Sequence, residues 1–579
     1  VTSPFNFTGT SFSSLDSSSG LENLSPGVNK PGSCTLSNAF NVRFSSEGGV
    51  SNRDGFTQMV DLGTSVKVDD CVTSSVYNIT FWKSGTAIYQ STKDNLDAGI
   101  AYTTGVTRTA TEKDFLFPHE RDIYATNETD NFTRIAVSRL TAVNSGAGTF
   151  SLEAGDGDYF ASGTVYIRGI AVTGGTLSGD NMTGTSGLTG AMAIGDTVTQ
   201  SSEPSGAPKG YCIGELEGSA LVAKGDSLFV SLPSTDQEPE LFYDFTLANG
   251  ATAKRLSSRP RCVKSGLKVA LVGMTAGIDV ATGFEPNTGA LLTQPLSRVH
   301  NVQSNRCIAE MDTKFCILTG EGRLLIAAQG LNGFELIDNP DTRKNFDYPV
   351  AKYIKDNKDQ TDNSQNYLHF NPQSKVLKAV ILMKTGLTEE IICQTDIGAW
   401  SIDDSKNIRC RLNVQGCEYG GDDSDDKIHR DEYGYTDNGA PIISRITTGR
   451  LRLGRKGVTG DYLNLTYGGV LSENGQFTQR IIYNGAVEEE LITAEDMVSD
   501  GQMVITPSIS LGEEGMGEET LGGEGSQTDV YSFNYPYEMM VEGEYVQLEW
   551  EISDEGAKAE FRYFDLSGEH EGELLLTPA

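Results

Sequence analysis

Three groups of side chains in this sequence have the types that chemistry requires. Gly225-Asp226-Ser227-Leu228 sets a serine beside an acid, and Asp426-Lys427-Ile428-His429 supplies a histidine three residues after an aspartate. A nucleophile, a base and an orienting carboxylate are thus all present by type. Asp422-Asp423-Ser424-Asp425-Asp426, preceded by Glu418 and Gly420-Gly421, gathers the oxygens that calcium prefers, without the EF-hand spacing or its terminal glutamate. Two basic clusters, Lys254-Arg255 with Arg259, Arg261 and Lys264, and Arg450, Arg452, Arg455 and Lys456, carry donors suited to a phosphate backbone or an acidic partner subunit. His119, His300, His369, His429 and His570 lack zinc-ligand spacing, and neither a P-loop nor G-x-G-x-x-G occurs. No metal site, cofactor or nucleotide hydrolysis is therefore expected.

Each group also has a plainer reading, set by the element that must carry it. Ser227 resembles the nucleophile of the GDSL esterases, and Asp426 to His429 their D-x-x-H, but that serine closes a strand and opens a helix in an α/β domain. Here Lys224-Gly225-Asp226 reads as a hairpin turn, Ser227 starts the next strand, and the helices an α/β fold needs are missing. The Asp422–Asp426 run reads as a solvated acidic loop, and the second basic cluster alternates along a strand, as one solvated face would. No catalytic residue is assigned, and the chain is not expected to be an enzyme.

At 579 residues the chain exceeds one ordinary core and predicts two to four domains. With 37% apolar and 21% charged residues and 65 glycines against 18 prolines, it suits a soluble protein rich in tight turns. No apolar run nears the roughly 20 residues of a membrane span, and Val1 to Ser19 lacks signal-peptide regions. Nine cysteines, an odd number without C-x-x-C, predict buried thiols in a reducing cytoplasm. Of the net charge of −34, residues 481–579 hold 24 acidic and two basic side chains. A block of that sign repels nucleic acid and argues against conventional DNA binding.

Short strands and turns fill 21–145, with a hairpin predicted about Lys83-Ser84-Gly85. Residues 146–205 turn to Gly, Thr, Ser and Ala, yet Val165 to Val172 reads as a strand and favours a small inserted β-domain over a loop. Strand–turn–strand units return over 206–440, as in Ala220 to Leu232, Lys314 to Ala328 and Val376 to Ile402, each in the form of the inner part of a propeller blade. One helix is predicted from Asp347 to Asp356, with Pro349 in its first turn and Val350, Ala351 and Ile354 as its apolar stripe. Longer alternating strands occupy 441–579, interrupted by a Gly/Glu loop at 509–529 that cannot bury a core.

The opening stretch carries a resemblance. Gly20-Leu21-Glu22-Asn23-Leu24 and Pro26-Gly27, then Asn38 to Val42, then Gly48-Gly49-Val50-Ser51-Asn52-Arg53-Asp54-Gly55-Phe56-Thr57 read as an edge loop, a strand, a tight hairpin and a second strand. This resembles the "GL…N", "N-V" and "R-x-G-F" opening of the tail nozzle (tubular tail) β-propeller proteins of short-tailed, podovirus-like bacteriophages. A late Thr448-Gly449-Arg450 strand and a closing Tyr545-Val546-Gln547-Leu548 strand resemble the same family. The expected fold is mainly β: a β-propeller over 21–145 and 206–440, a small β-domain inserted at 146–205, and an acidic, sandwich-like C-terminal β-domain at 441–579. Residues 1–20 are expected as an arm ordered by a neighbour.

The resemblance implies a structural virion protein, assembled in the host cytoplasm into a ring, a hexamer in that family, at the distal end of the tail. Its partners would be other copies of itself, the tail adaptor and portal-complex proteins, fibres or spikes, and passing double-stranded DNA bound without sequence preference. Around such a bore Glu513, Glu514, Glu518, Glu519 and Glu524 would line or gate the lumen. The alternative is a carbohydrate-binding adhesin or a tail-associated glycan hydrolase or esterase.

Overall fold

The computed structural model describes residues 2–15 and 33–571, with interruptions of which the longer are 235–241, 452–458, 498–502, 505–529 and 554–558. Strands make up 59% of the structure, beside two α-helices. That is well over twice the share in an average domain, and the expected mainly-β class holds. Among the described residues no helix is long and apolar enough to cross a membrane.

Tight turns build the units. Gln415-Gly416 and Asn484-Gly485 take φ values of 47° and 83°, and 46° and 83°, the left-handed pair that a two-residue hairpin turn needs. They fix the register of Ile408–Val414 on Cys417–Asp422 and of Gln476–Tyr483 on Ala486–Thr493. Repeated along the chain, such hairpins give five separate four-stranded antiparallel sheets. Four are sequential, within 68–107, 212–255, 260–297 and 308–337, and the fifth joins the strands of 408–431 to Phe56–Asp61. A sixth four-strand group, 367–403, belongs to a larger sheet. A seventh consists of Phe115–His119, Asp122–Thr126, Thr133–Asn144 and Thr197–Ser202.

The first strands of these seven groups lie against one another in cyclic order, Val68–Ser74 meeting Phe115–His119 on one side and Ile408–Val414 on the other. Apolar side chains fill the spaces between neighbours: Phe81 and Ile88 pack with Leu116 and Ile135, while Val68 and Trp82 pack with Leu412, Tyr419 and Ile428. Strands such as Ile79–Ser84 are consequently buried at every position, as expected of sheets covered on both faces.

The region about 146–205 is a closed six-stranded barrel. Its strands run Thr133–Asn144, Thr149–Leu152, Asn181–Thr183, Ile170–Ser178, Gly163–Ile167 and Thr197–Ser202, and the last pairs back on the first. Leu140, Phe150, Val165, Val172, Met182 and Val198 fill it. The insertion is thus a β-domain, and it begins at Thr133 because one twelve-residue strand serves both the barrel and its parent sheet.

The C-terminal strands form two facing layers. Gly460–Ser472, Val530–Gly543 and Ala559–Glu571 lie in one, and Ser444–Thr448, Gln476–Tyr483, Ala486–Thr493 and Val546–Ile552 in the other. Trp550 of the second layer sits 5.7 Å from Tyr467 and 5.3 Å from Phe561 of the first. Two expectations are corrected here. Thr2–Leu15 is a strand paired with Ala559–Glu571 of the same chain, where an arm awaiting a neighbour was expected. Residues 33–52, expected with the small sheets, touch one of them through Phe40 beside Ile402 but pair mainly with Ser444–Thr448 and Ala559–Glu571, where Leu36, Val42, Phe44 and Val50 join the core. The helix Tyr348–Asn357 has Pro349 in its first turn and buries Val350 and Ile354, as predicted.

Gly55 stands where the chain leaves these layers to enter the small sheets. A Cβ there would lie 2.0 Å from the carbonyl oxygen of Thr436, whereas one on Gly190 meets nothing within 4 Å. Gly55→Ala is expected to lower stability by about 1–3 kcal/mol or more, and Gly190→Ala to leave it unchanged, as read by urea unfolding.

Candidate functional site

Two charged centres stand out, one at the junction where Phe56–Asp61 joins Lys427–Asp431 and one on the axis of the sheets. At the junction, Arg53 is fully buried. Its Nη1 and Nη2 donate to the two oxygens of Asp437 at 2.8 and 2.5 Å, its Nη2 also to Asp404 at 3.0 Å, and its Nε to Asn41 at 3.1 Å. Arg43 holds Asp403 by a similar fork, at 2.8 and 2.7 Å, and also Glu432 at 2.5 Å.

From there the pairs run inward. Lys406 reaches Asp431 at 2.9 Å and Asp403 at 3.4 Å, Lys378 reaches Asp431 at 2.6 Å and Glu418 at 2.7 Å, and Arg411 joins Glu418, Asp431 and Glu390. Burial by itself would raise these carboxyl pKa values. The neighbouring cations outweigh it, holding Asp403 and Asp431 well below the usual range and Glu418 at about 2. The network is therefore charged throughout, and removing one member strands its partners.

On the axis, the first strands enclose a cavity of about 180 Å³. Arg306 grips Asp70 at 3.1 and 2.6 Å, donates to the carbonyl of Leu116 at 2.8 Å and lies 4.1 Å from the ring centre of Phe115. Arg409 donates to Asp423 at 2.6 Å. His369 bonds Asn413 at 3.3 Å, and burial pushes its pKa down to about 4, so it is neutral at pH 7.

The residues singled out in the sequence are not brought together. Gly225, at φ 60°, opens the turn between Ser219–Lys224 and Ser227–Val230. Ser227 Oγ donates to Asp226 at 3.1 Å, and Asp226 pairs with Arg255. His429 lies in a different sheet, 3.2 Å from Asp422 and edge-on to Phe56, so no triad is assembled. The Asp422–Asp426 carboxylates are spent on separate partners: Asp422 on Ser424 and His429, Asp423 on Arg409, Asp425 on Lys427, and Asp426 on the backbone of Thr64 and Ser65. Among the described residues no group of three or more His, Cys, Asp or Glu is placed to hold a metal ion.

The first basic cluster splits. Arg255 is exposed, Arg259 pairs with Glu128, Arg261 covers the ring of Tyr211, and Lys264 lines the axial cavity. Arg450 stacks on Tyr545, while Arg452, Arg455 and Lys456, like Glu513, Glu514, Glu518, Glu519 and Glu524, lie outside the described residues. His119 pairs with Glu215 at 2.9 Å and His300 with Asp338 at 3.1 Å, and the backbone of His570 is in register with that of Ser3. What sequence reasoning missed is the buried network. Its one local signal is a charge inside an apolar run, as with Lys378 in Val376–Leu382.

No family model and no curated protein matches this sequence. Among solved structures, the computationally designed Ika8 protein is similar over 65% of this chain and 99% of its own, at 9% identity and a TM-score of 0.33. That likeness is too low to assign a fold.

Arg53→Met is expected to lower the unfolding free energy by about 3–5 kcal/mol in denaturant titrations, while Arg255→Ala, 83% exposed at its side chain, stays within about 0.5 kcal/mol. His369 yields a pH dependence. Its folded pKa of about 4 lies below the unfolded value near 6.5, so the unfolded chain binds a proton that the folded one refuses. Stability therefore falls as pH drops from about 6.5 towards 4. His369→Gln is expected to recover on the order of 2–3 kcal/mol of that loss between pH 7 and 4.5, checked by urea unfolding at each pH.

Proposed function

We propose that this chain is a structural subunit of the ring-shaped distal nozzle of a short phage tail, a wall element of the conduit through which DNA leaves the particle. The seven four-strand groups are read as blades of a β-propeller whose last blade is completed by Phe56–Asp61, with the barrel inserted in one blade and the two C-terminal layers forming a sandwich-like domain. What carries the reading is the position of the motif behind the resemblance. Arg53 is the buried centre of the closing junction, Gly55 has no room for a side chain, and Phe56 begins the closing strand.

Size and charge support it further. The axial cavity of about 180 Å³ falls below the roughly 300–1,000 Å³ of ordinary ligand pockets. A duplex would have to pass between copies, not through one. Ala486–Thr493 offers acidic side chains for such a passage, since Glu488 and Glu490 are exposed on one face of that strand, and like charge keeps a polyanion from adhering.

The deciding experiment is electron microscopy and mass measurement on the purified full chain. A closed ring, six-membered by family resemblance, with a bore of roughly 20 Å or more is expected. A chain that stays monomeric and binds glycans on an array would replace this reading with the adhesin.

A further inference from the structure

Beside the axial cavity, three buried side chains meet where the sheet of 68–107 packs on Phe115–His119. Lys83 is fully buried, and its Nζ lies 3.1 Å from Asp69 Oδ2 and 3.6 Å from Asp114 Oδ2. A bulge in the pairing of Val68–Ser74 with Ile79–Ser84 falls between Val68 and Asp70, which takes Asp69 out of the regular register and lets it reach Lys83. Asp69 also lies 3.8 Å from Arg409 Nε. Asp114 is held unevenly. Its Oδ1 accepts from Arg108 Nε at 2.9 Å, Arg108 Nη2 at 2.5 Å and Asn127 Nδ2 at 2.9 Å. Its Oδ2 is buried and accepts no hydrogen bond in the protein, and Lys83 stands beyond hydrogen-bond reach of it.

We infer that Lys83 and Asp114 join in an autocatalytic isopeptide bond, with Asp69 as the proton relay. Three donors on one oxygen and none on the other polarise the carboxyl as acyl transfer requires, with Oδ1 as the oxyanion and Oδ2 as the leaving group. Burial raises the pKa of Asp114 against the pull of Arg108, which favours the neutral acid that an amine can attack. The atoms balance as follows. Asp69 takes one proton from the Lys83 ammonium and later releases it to solvent. The freed amine attacks Cγ, so the Nζ–Cγ bond forms and the electron pair moves to Oδ1 under Arg108 and Asn127. The Cγ–Oδ2 bond then breaks, and Oδ2 leaves as water with its own proton and a second one from Nζ, relayed by Asp69. A neutral amide replaces two charges whose burial is costly, and it ties the second strand of one sheet to the segment that leads into the next. The inference stands independently of the tail-nozzle reading.

Intact-mass spectrometry of the purified full chain tests it. The mass is expected below that of the sequence by one water. A protease digest is expected to give a branched peptide joining the segment of Lys83 to that of Asp114, with no tryptic cut after Lys83. Lys83→Arg and Asp114→Ala should each show their full sequence mass, while Asp226→Ala, at an exposed pair, should keep the bond. Asp69→Ala should slow it about a hundredfold or more, read as the crosslinked fraction against time after synthesis. A folded wild-type chain of full sequence mass would overturn the bond and leave a plain buried ion pair. So would a water loss that maps elsewhere or persists in Lys83→Arg. Crosslinking of Asp69→Ala at the wild-type rate would overturn the relay.

Discussion

A small antiparallel sheet with apolar side chains on both faces has no stable existence alone, and this chain contains seven such groups in succession. Each can be covered only by its neighbours, so the row must bend round until the last covers the first. Ile79–Ser84 and Ala399–Asp403, buried at every position, record that demand. The final group has only three strands of its own, and the fourth comes from Phe56–Asp61, some 370 residues earlier in the chain. Phe56–Asp61 is thereby the crossing point of the chain, with the strands before it paired in the C-terminal layers and those after it in the small sheets.

Joining two such distant pieces by apolar contact alone would leave the register free to slip. The buried charges at the junction restrict it, because a guanidinium that loses its two-pronged grip on Asp437 or Asp403 is left desolvated and unpaired. Arg53 sits between Asn41 and Asp437, Arg43 between Asp403 and Glu432, and Lys378 and Lys406 share Asp431. A shift by one residue would break all of these together. On this argument the network contributes uniqueness of closure more than net stability, since ion pairs of this kind roughly offset their own desolvation.

Local structure was legible in the sequence wherever the turn chemistry was strong. The turn at Gly225-Asp226, the hairpin about Lys83-Ser84-Gly85 and the helix at Tyr348–Asn357 all follow from residues close together in the chain. Partnership across hundreds of residues was not legible. Nothing within 33–61 tells that three of its strands belong with the C-terminal layers and one with Lys427–Asp431. The charged centres were hidden for a related reason: Glu390 follows Glu389 and reads as solvated, and it meets Arg411 only because a strand of another sheet packs against its own. The glutamates of the Gly/Glu loop were chosen by composition and fall outside the described residues.

The charged regions differ in what can reach them. Along the axis Arg306, Arg409 and Arg411 are paired with carboxylates, and the space of about 180 Å³ is far too small to admit a phosphate backbone. On Ala486–Thr493 the glutamates are exposed over an open strand. Screening confines each field to within about 8 Å at physiological salt, so the axis and this face act independently although the chain as a whole carries −34. On the proposed reading, a conduit wall built from such subunits would turn its acidic strands, and not its axis, toward the bore, so that the axis of the sheets would stand off from the axis of the ring.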